Sequence, residues 1–380
     1  MEAPFKGTDY PNDASMRWKI SAGPGRTDLL HRFTLTPYAV DLRIMASTVR
    51  LETNSVAVVE SAVEFFARYQ GRPVGDRQFL WRIETQEEDP PMDQAGVALS
   101  AFSDRDLRFV NIGQRSFLAV DLEAREGIGF VAERLVEPEP RLNCRPFFDT
   151  LFCMTAGSLG ILPLSAACVG LGENGILIFG PPNSGKTTAS YLAAKLGLEF
   201  HSDQAVFLEV ESGKLQVWGD FLPAIFRPES IQFLPELGAT TRRFSYPGLT
   251  VHYLSKRPFQ TSQAHSVTPI GCLFLERQGA AVPSLSSIVG SDLSRRLGEN
   301  VLFKDDDRSV QQNATVLNAL KKLPAYHLTY GNDPATAAIL VRSMLTECEF
   351  AEGCLRRKFS NEDVSRIPAA SQVPKSNLAR

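Results

Sequence analysis

The order of apolar and polar positions divides the chain into short alternating stretches, followed by segments that are apolar nearly throughout. Residues 48–53 alternate residue by residue, the period of a half-buried strand. Asn54 and Ser55 then offer a helix cap, and Val56, Val59, Val63 and Phe66 recur at helical spacing as one apolar stripe. Gly71 and Pro73 stop that helix. Further strands are predicted at residues 79–84, 96–102, 107–112 and 116–121. Residues 147–159 carry few charges and are apolar on all sides, the pattern of a buried helix. Residues 166–171 and 175–179 form a strand pair about the turn Gly172-Glu173-Asn174-Gly175. Near the end, Asp333 before Pro334 starts a helix whose buried stripe is Ala337, Leu340, Val341 and Met344.

Proline and glycine punctuate this pattern into regions. Residues 1–25 read as a flexible lead-in, and residues 26–137 as an N-terminal α+β domain without a chemical motif. Pro138 and Pro140 mark a hinge into a second domain at 138–350. Residues 351–380 are polar, Pro-punctuated and without apolar period, which predicts a disordered tail.

Composition changes this picture little. The 380 residues are 43% hydrophobic and 22% charged, so wholesale disorder is excluded. Lys plus Arg is 40 against 43 for Asp plus Glu, a net charge of −3 that gives no reason to expect a nucleic-acid partner. No apolar run approaches the roughly 20 residues of a membrane span, and the first fifteen residues lack a signal-peptide apolar region. Six scattered cysteines with no CxxC pair read as thiols of a reducing compartment, so the expected location is cytoplasmic.

The chemistry is concentrated in one segment. Gly180-Pro181-Pro182-Asn183-Ser184-Gly185-Lys186-Thr187 fits G-x-x-x-x-G-K-[ST] at every position. An apolar strand precedes it, and a helix closed by Gly197 follows, the order the mechanism demands. Glycines let backbone amides turn inward around phosphate oxygens, and the helix points its positive end at the same anion. Lys186 is placed to reach β- and γ-phosphates, the Thr187 hydroxyl to ligate Mg²⁺, and Thr188 follows in the first helical turn. The bland alternative, a Gly-rich turn that happens to hold a lysine, does not account for the flanking strand and helix. A metal-holding or proton-accepting carboxylate must come from elsewhere. The candidates are Asp203, seventeen residues after Lys186, and Glu276, which closes the apolar strand 272–275. Each alternatively reads as a strand-end acid. No NKxD motif of base-reading GTPases follows the loop.

The run PLSAACVGLGENGILIFGPPNSGKTTASYLAAKLGLEFHSDQAVFLE resembles the catalytic domain of bacterial HPr kinase/phosphorylase, and more closely the broader group of HPr-kinase-like proteins, some from peptide-modifying gene clusters. Stretches at 216–228 and 326–345, and the strand ending in Leu51-Glu52-Thr53-Asn54-Ser55, also fit. The resemblance implies an α/β protein with an N-terminal α+β domain followed by an HPr-kinase-like P-loop domain, using ATP and Mg²⁺. It places Asp203 on the first acid of the family's "DD" pair, as base or metal ligand, and Arg227 where the family's later signature keeps an arginine. Two positions depart from the family. Gln204 replaces the second acid, and Ser165 stands where a histidine precedes the loop by fifteen residues. The family's protein substrate and reverse phosphorylase activity therefore do not carry over.

Other candidates are weaker. Arg227 can fork onto a γ-phosphate or equally sit in a surface ion pair. His201, two residues before Asp203, helps an acceptor bind or is merely packed. Asp220 reads as a turn acid, Arg242-Arg243 and Lys256-Arg257 as solvated pairs, and Asp305-Asp306-Asp307 as a solvated turn without calcium-loop spacing. The expected activity is ATP- and Mg²⁺-dependent transfer to a hydroxyl of a peptide, protein or small molecule, with homo-oligomers compatible with the resemblance. The alternative is a nucleotide sensor or weak ATPase that has lost transfer. Residues 26–137 are expected to shape acceptor recognition or assembly, and a chain starting near Pro138 to retain ATP binding.

Overall fold

The computed structural model describes residues 19–20, 26–27, 33–69, 78–86, 99–112, 116–132, 145–219, 224–228, 230, 234, 236–237, 241–246, 249–254, 266–279, 282–302, 313–349 and 359–365. Its architecture is mixed α/β, built on two mixed sheets. The first runs in the order Lys19–Ile20, Tyr38–Ile44, Ser47–Thr53, Gln78–Gln86, Glu126–Ala132, Ser116–Asp121, Leu107–Ile112, Leu99–Asp104. Lys19–Ile20 pairs with Tyr38 and Ala39, so the expected lead-in contributes an edge strand to this sheet. Ser47–Thr53 and Gln78–Gln86 pair in parallel, joined by the helix Val56–Phe66.

That helix buries Val58, Val59, Ala62, Phe65 and Phe66, whereas Val56 is exposed and Val63 only partly covered. The expected stripe is thus rotated, because an arc through both phenylalanines buries more apolar area than one through two valines. Asn54 does not cap the helix. Its side-chain amide bonds the Thr85 backbone N–H at 2.9 Å and carbonyl at 3.1 Å, fastening the strand end to its neighbour.

The second sheet is centred on the long strand Ser266–Arg277. On one edge it pairs in parallel with Asn174–Phe179, which continues to Ala167–Leu171 and then Glu199–Ser202. On its other edge the first residues pair with Lys214–Gly219, and the last six pair in parallel with Ala325–Tyr330. The alternation of the central strand sends Leu273 and Leu275 into a core with the helices Lys186–Lys195 and Ala335–Glu349, and Cys272 and Phe274 into a core under the helices Gly290–Glu299 and Ala314–Leu320. A strand covered on both faces must be apolar at consecutive positions, as Gly271-Cys272-Leu273-Phe274-Leu275 is. The stripe Ala337, Leu340, Val341 and Met344 is buried. Asp333 caps its helix by accepting the Ala335 N–H at 3.0 Å.

Two findings differ from the sequence expectations. The helix Arg145–Ala156 does not belong to the second sheet's own core. Phe147, Phe148, Leu151 and Phe152 lie in the core of the first sheet, together with Phe207 and Trp218 of the second. A chain cut near Pro138 would expose this whole face. Within the tail expected to be disordered, Phe359 and Val364 are buried against the second sheet, and Asn361 accepts the Leu285 N–H at 2.6 Å. Two apolar residues and one acceptor suffice to dock a short segment whose composition is otherwise polar.

Cys153, Cys168 and Cys272 are free and buried, and burial pushes the Cys272 thiol up to about 12. No helix among the described residues is long and apolar enough to cross a membrane. Asp220, Lys256, Arg257 and Asp305-Asp306-Asp307 lie outside the described residues. Arg242 and Arg243 lie on the strand Thr241–Tyr246.

The Phe152 ring contacts Tyr69 at 5.7 Å and Phe207 at 4.7 Å between centroids, bridging the two sheets. Phe152→Ala should therefore cost about 3–5 kcal/mol. Denaturant unfolding followed by near-UV dichroism should show one lowered transition, and a transition confined to one sheet would contradict the shared core.

Candidate functional site

The strand Asn174–Phe179 ends at Gly180, and the helix Lys186–Lys195 begins six residues later. Both loop glycines are required by geometry. Gly180 has φ +149, and a Cβ there would collide with the Ser184 side chain and stand 2.7 Å from the Leu275 carbonyl oxygen. Gly185 has φ +93, and a Cβ there would strike the Tyr330 hydroxyl. Between them Pro181, Pro182 and Asn183 form an exposed rim, with Asn183 at φ 69. The turn is closed by the Ser184 N–H donating to the Pro181 carbonyl at 3.1 Å.

Lys186 folds back over this loop and donates to the Gly180 carbonyl at 2.7 Å and the Pro181 carbonyl at 3.2 Å. Burial draws its ammonium below the ordinary lysine range, and the negative field of Asp203 opposes that shift. Asp203 is itself buried, in the turn between Glu199–Ser202 and Val206–Glu211. The sheet order brings it to the loop, since Glu199–Ser202 lies two strands from Asn174–Phe179 and runs parallel to it. Thr187 and Thr188 are half-buried in the first turn of the helix.

The other candidates are arranged differently. Glu276 is 45% exposed at its side chain and is engaged away from the loop. It accepts Gln278 at 2.7 Å and pairs with His327 at 2.9 Å, and these bonds hold its carboxyl below the usual range. His201 is fully buried, its Nε2 3.8 Å from a Glu199 carboxylate oxygen, so it is a packed residue of the sheet. Arg227 is exposed and, among the described residues, makes no side-chain bond. Its neighbour Phe226 packs edge-on against Tyr191 of the loop helix at 5.3 Å. Ser165 lies in the connection before Ala167–Leu171, where its N–H donates to the Asn300 carbonyl at 2.8 Å. Gln204 is half-buried, its N–H bonded to the Ser202 hydroxyl at 3.3 Å.

Sequence reasoning missed Tyr330. It ends the strand Ala325–Tyr330 and donates its hydroxyl to the Ser184 carbonyl at 2.6 Å, bracing the loop from below. Burial pushes its phenol up to about 12, so it stays a neutral donor. The available signal was an aromatic residue with a polar tip ending an apolar strand, which needs a partner for its hydroxyl when buried.

The site suits a phosphate group. Positive-φ glycines turn the loop, a helix N-terminus faces it, and the Ser184 hydroxyl is buried there without a protein partner. Of the residues at the loop, the Thr187 hydroxyl and the Asp203 carboxylate are of the types that could hold a hard cation. Among the described residues no group of three His, Cys, Asp or Glu side chains converges. Few protein ligands, with water and phosphate oxygens supplying the rest, is the pattern Mg²⁺ favours over softer metals.

No protein-family model matches the chain, and no curated protein matches it. Among solved structures, the Hpr(Ser) kinase/phosphatase from Coxiella burnetii aligns with 50% of this chain and 93% of its own, at 12% identity and a TM-score of 0.27. That TM-score is too low to transfer anything from that protein, and the loop geometry stands on its own.

Tyr330→Phe removes one hydrogen bond worth about 1 kcal/mol. The chain should stay folded while nucleotide affinity weakens up to about fivefold, measured by calorimetric titration. The lysine gives a second test. Its pKa in the free protein is lowered, and a bound phosphate raises it, so binding is favoured while Lys186 is protonated. Affinity should be full below the free-protein pKa and fall as pH rises through it, and Lys186→Met should flatten that alkaline limb.

Proposed function

We propose that the chain is an ATP- and Mg²⁺-dependent phosphotransferase that moves the γ-phosphate to a hydroxyl of a peptide, protein or small molecule. The observation that carries this reading is the loop itself, turned by Gly180 and Gly185 at positive φ, with the half-buried Lys186 at the head of its helix and the buried Asp203 near enough for its field to act on that lysine. Phosphoryl transfer asks a protein mainly for position and charge. On this reading the loop amides and Lys186 hold β- and γ-oxygens and offset the charge that develops on them. Thr187 and Asp203 would hold Mg²⁺, which would supply charge neutralisation to the phosphate oxygens. Asp203 also takes the acceptor's proton. On the same reading Arg227, exposed on the segment whose Phe226 packs on Tyr191, serves as the substrate-side cation.

Gln204 supports a second reading, a nucleotide sensor or weak ATPase. A half-buried neutral side chain beside Asp203 leaves one carboxylate to serve both metal and acceptor.

The test is incubation with γ-labelled ATP and candidate acceptors, with the label followed by mass spectrometry. Lys186→Ala should abolish binding or transfer in a folded protein. Asp203→Asn should lower transfer by about 10²–10⁴-fold with metal-free nucleotide binding little changed. Transfer at the wild-type rate by Asp203→Asn would overturn the catalytic role given to Asp203, and no labelled product with any acceptor would overturn the kinase reading. ATP binding without any labelled product, together with transfer gained in Gln204→Asp, would favour the sensor.

A further inference from the structure

The strand that leaves the Asp203 turn is shared between the two halves of the molecule. Val206 and Leu208 point into the core beneath the P-loop sheet, while Phe207 points into the core of the N-terminal sheet. The Phe207 ring lies 5.5 Å from Tyr69 and 4.7 Å from Phe152. Two residues on, Glu209 is fully buried. Its Oε1 accepts the Trp218 indole N–H at 3.1 Å, and its Oε2 accepts the backbone N–H of Ala46 at 3.3 Å, from 163 residues earlier in the chain. Ala46 sits in the turn between Tyr38–Ile44 and Ser47–Thr53. That turn is itself tied down, with Met45 at φ 54 and its N–H bonded to the Tyr69 carbonyl at 2.6 Å. A buried carboxylate is costly unless its oxygens are satisfied, so this contact resists displacement.

The other end of the turn is anchored separately. The Ser202 hydroxyl bonds the Ala205 carbonyl at 2.5 Å and receives the Gln204 N–H, closing the four residues that present Asp203. Both flanks of Asp203 therefore belong to the sheet that carries the loop, and the second is gripped by the N-terminal half as well, through Phe207 and Glu209.

We propose that the N-terminal sheet sets the position of Asp203 relative to Lys186, with Glu209 as the positioning residue that transmits it through the hairpin 206–219. This rests on the reading of Asp203 as the acid of a nucleotide site. It assigns the N-terminal half a part in building that site rather than in acceptor recognition alone. Glu209 touches no substrate and acts only through the turn three residues before its strand. A displacement of about 1 Å at reacting groups is enough to cost on the order of a hundredfold in rate.

The test uses the full chain with Glu209→Gln, which keeps shape but replaces one acceptor oxygen by a donor, and Trp218→Phe, which keeps the ring but deletes the indole donor. Metal-free ATP affinity reports the loop, and Mg²⁺-dependent transfer reports Asp203. Both variants should bind metal-free ATP within about twofold of wild type, while kcat falls about ten- to a hundredfold. In an Asp203→Asn background the Glu209→Gln change should have no further effect on kcat, since its route to the chemistry is already cut. A merely structural role would lower the unfolding midpoint and slow both backgrounds equally, and that result overturns the proposal. Wild-type kcat in both variants overturns it as well. If Glu209→Gln does not fold, Trp218→Phe carries the same comparison. Loss of ATP binding in the wild-type chain would instead remove the nucleotide reading, and this inference with it.

Discussion

The central strand Ser266–Arg277 is the constraint on which the rest depends. It is parallel to Asn174–Phe179 on one edge and to Ala325–Tyr330 on the other, so the carboxyl ends of all three strands emerge together. The Leu275 carbonyl lies directly under Gly180, and Tyr330 reaches the far side of the same loop. A crevice at the carboxyl ends of parallel strands is where open α/β sheets place their ligands. Here the Leu275 carbonyl and the Ser184 side chain close off Gly180, and the Tyr330 hydroxyl closes off Gly185, which is why no side chain is tolerated at either.

A second sheet fused to such a scaffold need not influence it. In this chain it does, because the cores are not separate. Phe207 and Trp218 extend from the second sheet into the N-terminal core, and the helix Arg145–Ala156 packs in that same core, where its Phe152 meets Phe207. Arg108, buried in the first sheet, donates to the Met154 carbonyl of that helix at 2.8 Å, adding a polar fastening to an apolar contact. An interface of this kind behaves as one packed interior, and interiors transmit small displacements instead of absorbing them.

The legibility of these features in the sequence follows their range. The strand, loop and helix around Lys186 are contiguous, and each declares itself through glycine, proline and apolar spacing. The hairpin before them is legible for the same reason. Tyr38–Ile44 and Glu126–Ala132 were not read as strands. The latter carries Gly127 and Gly129, which weaken the local signal, and it is held in the sheet by neighbours on both edges. Asp203 could be named from a resemblance, but its approach to Lys186 depends on a strand order that no local pattern encodes. Glu209 and Tyr330 escaped notice because each acts on a partner more than a hundred residues away.

That last separation has a consequence for how the molecule is made. The brace beneath the loop is supplied 146 residues after the carbonyl it holds. At about 5–20 residues per second, a ribosome needs roughly 7–30 s to travel from Ser184 to Tyr330. Late in that interval the N-terminal sheet, the loop, the Asp203 turn and the central strand all exist as polypeptide, but the central strand still lacks its second parallel neighbour. Long-range parallel pairing is also slow to form. The nascent chain therefore passes through a stage in which the loop has its sequence but not its shape, and the site is among the last parts of the protein to become itself.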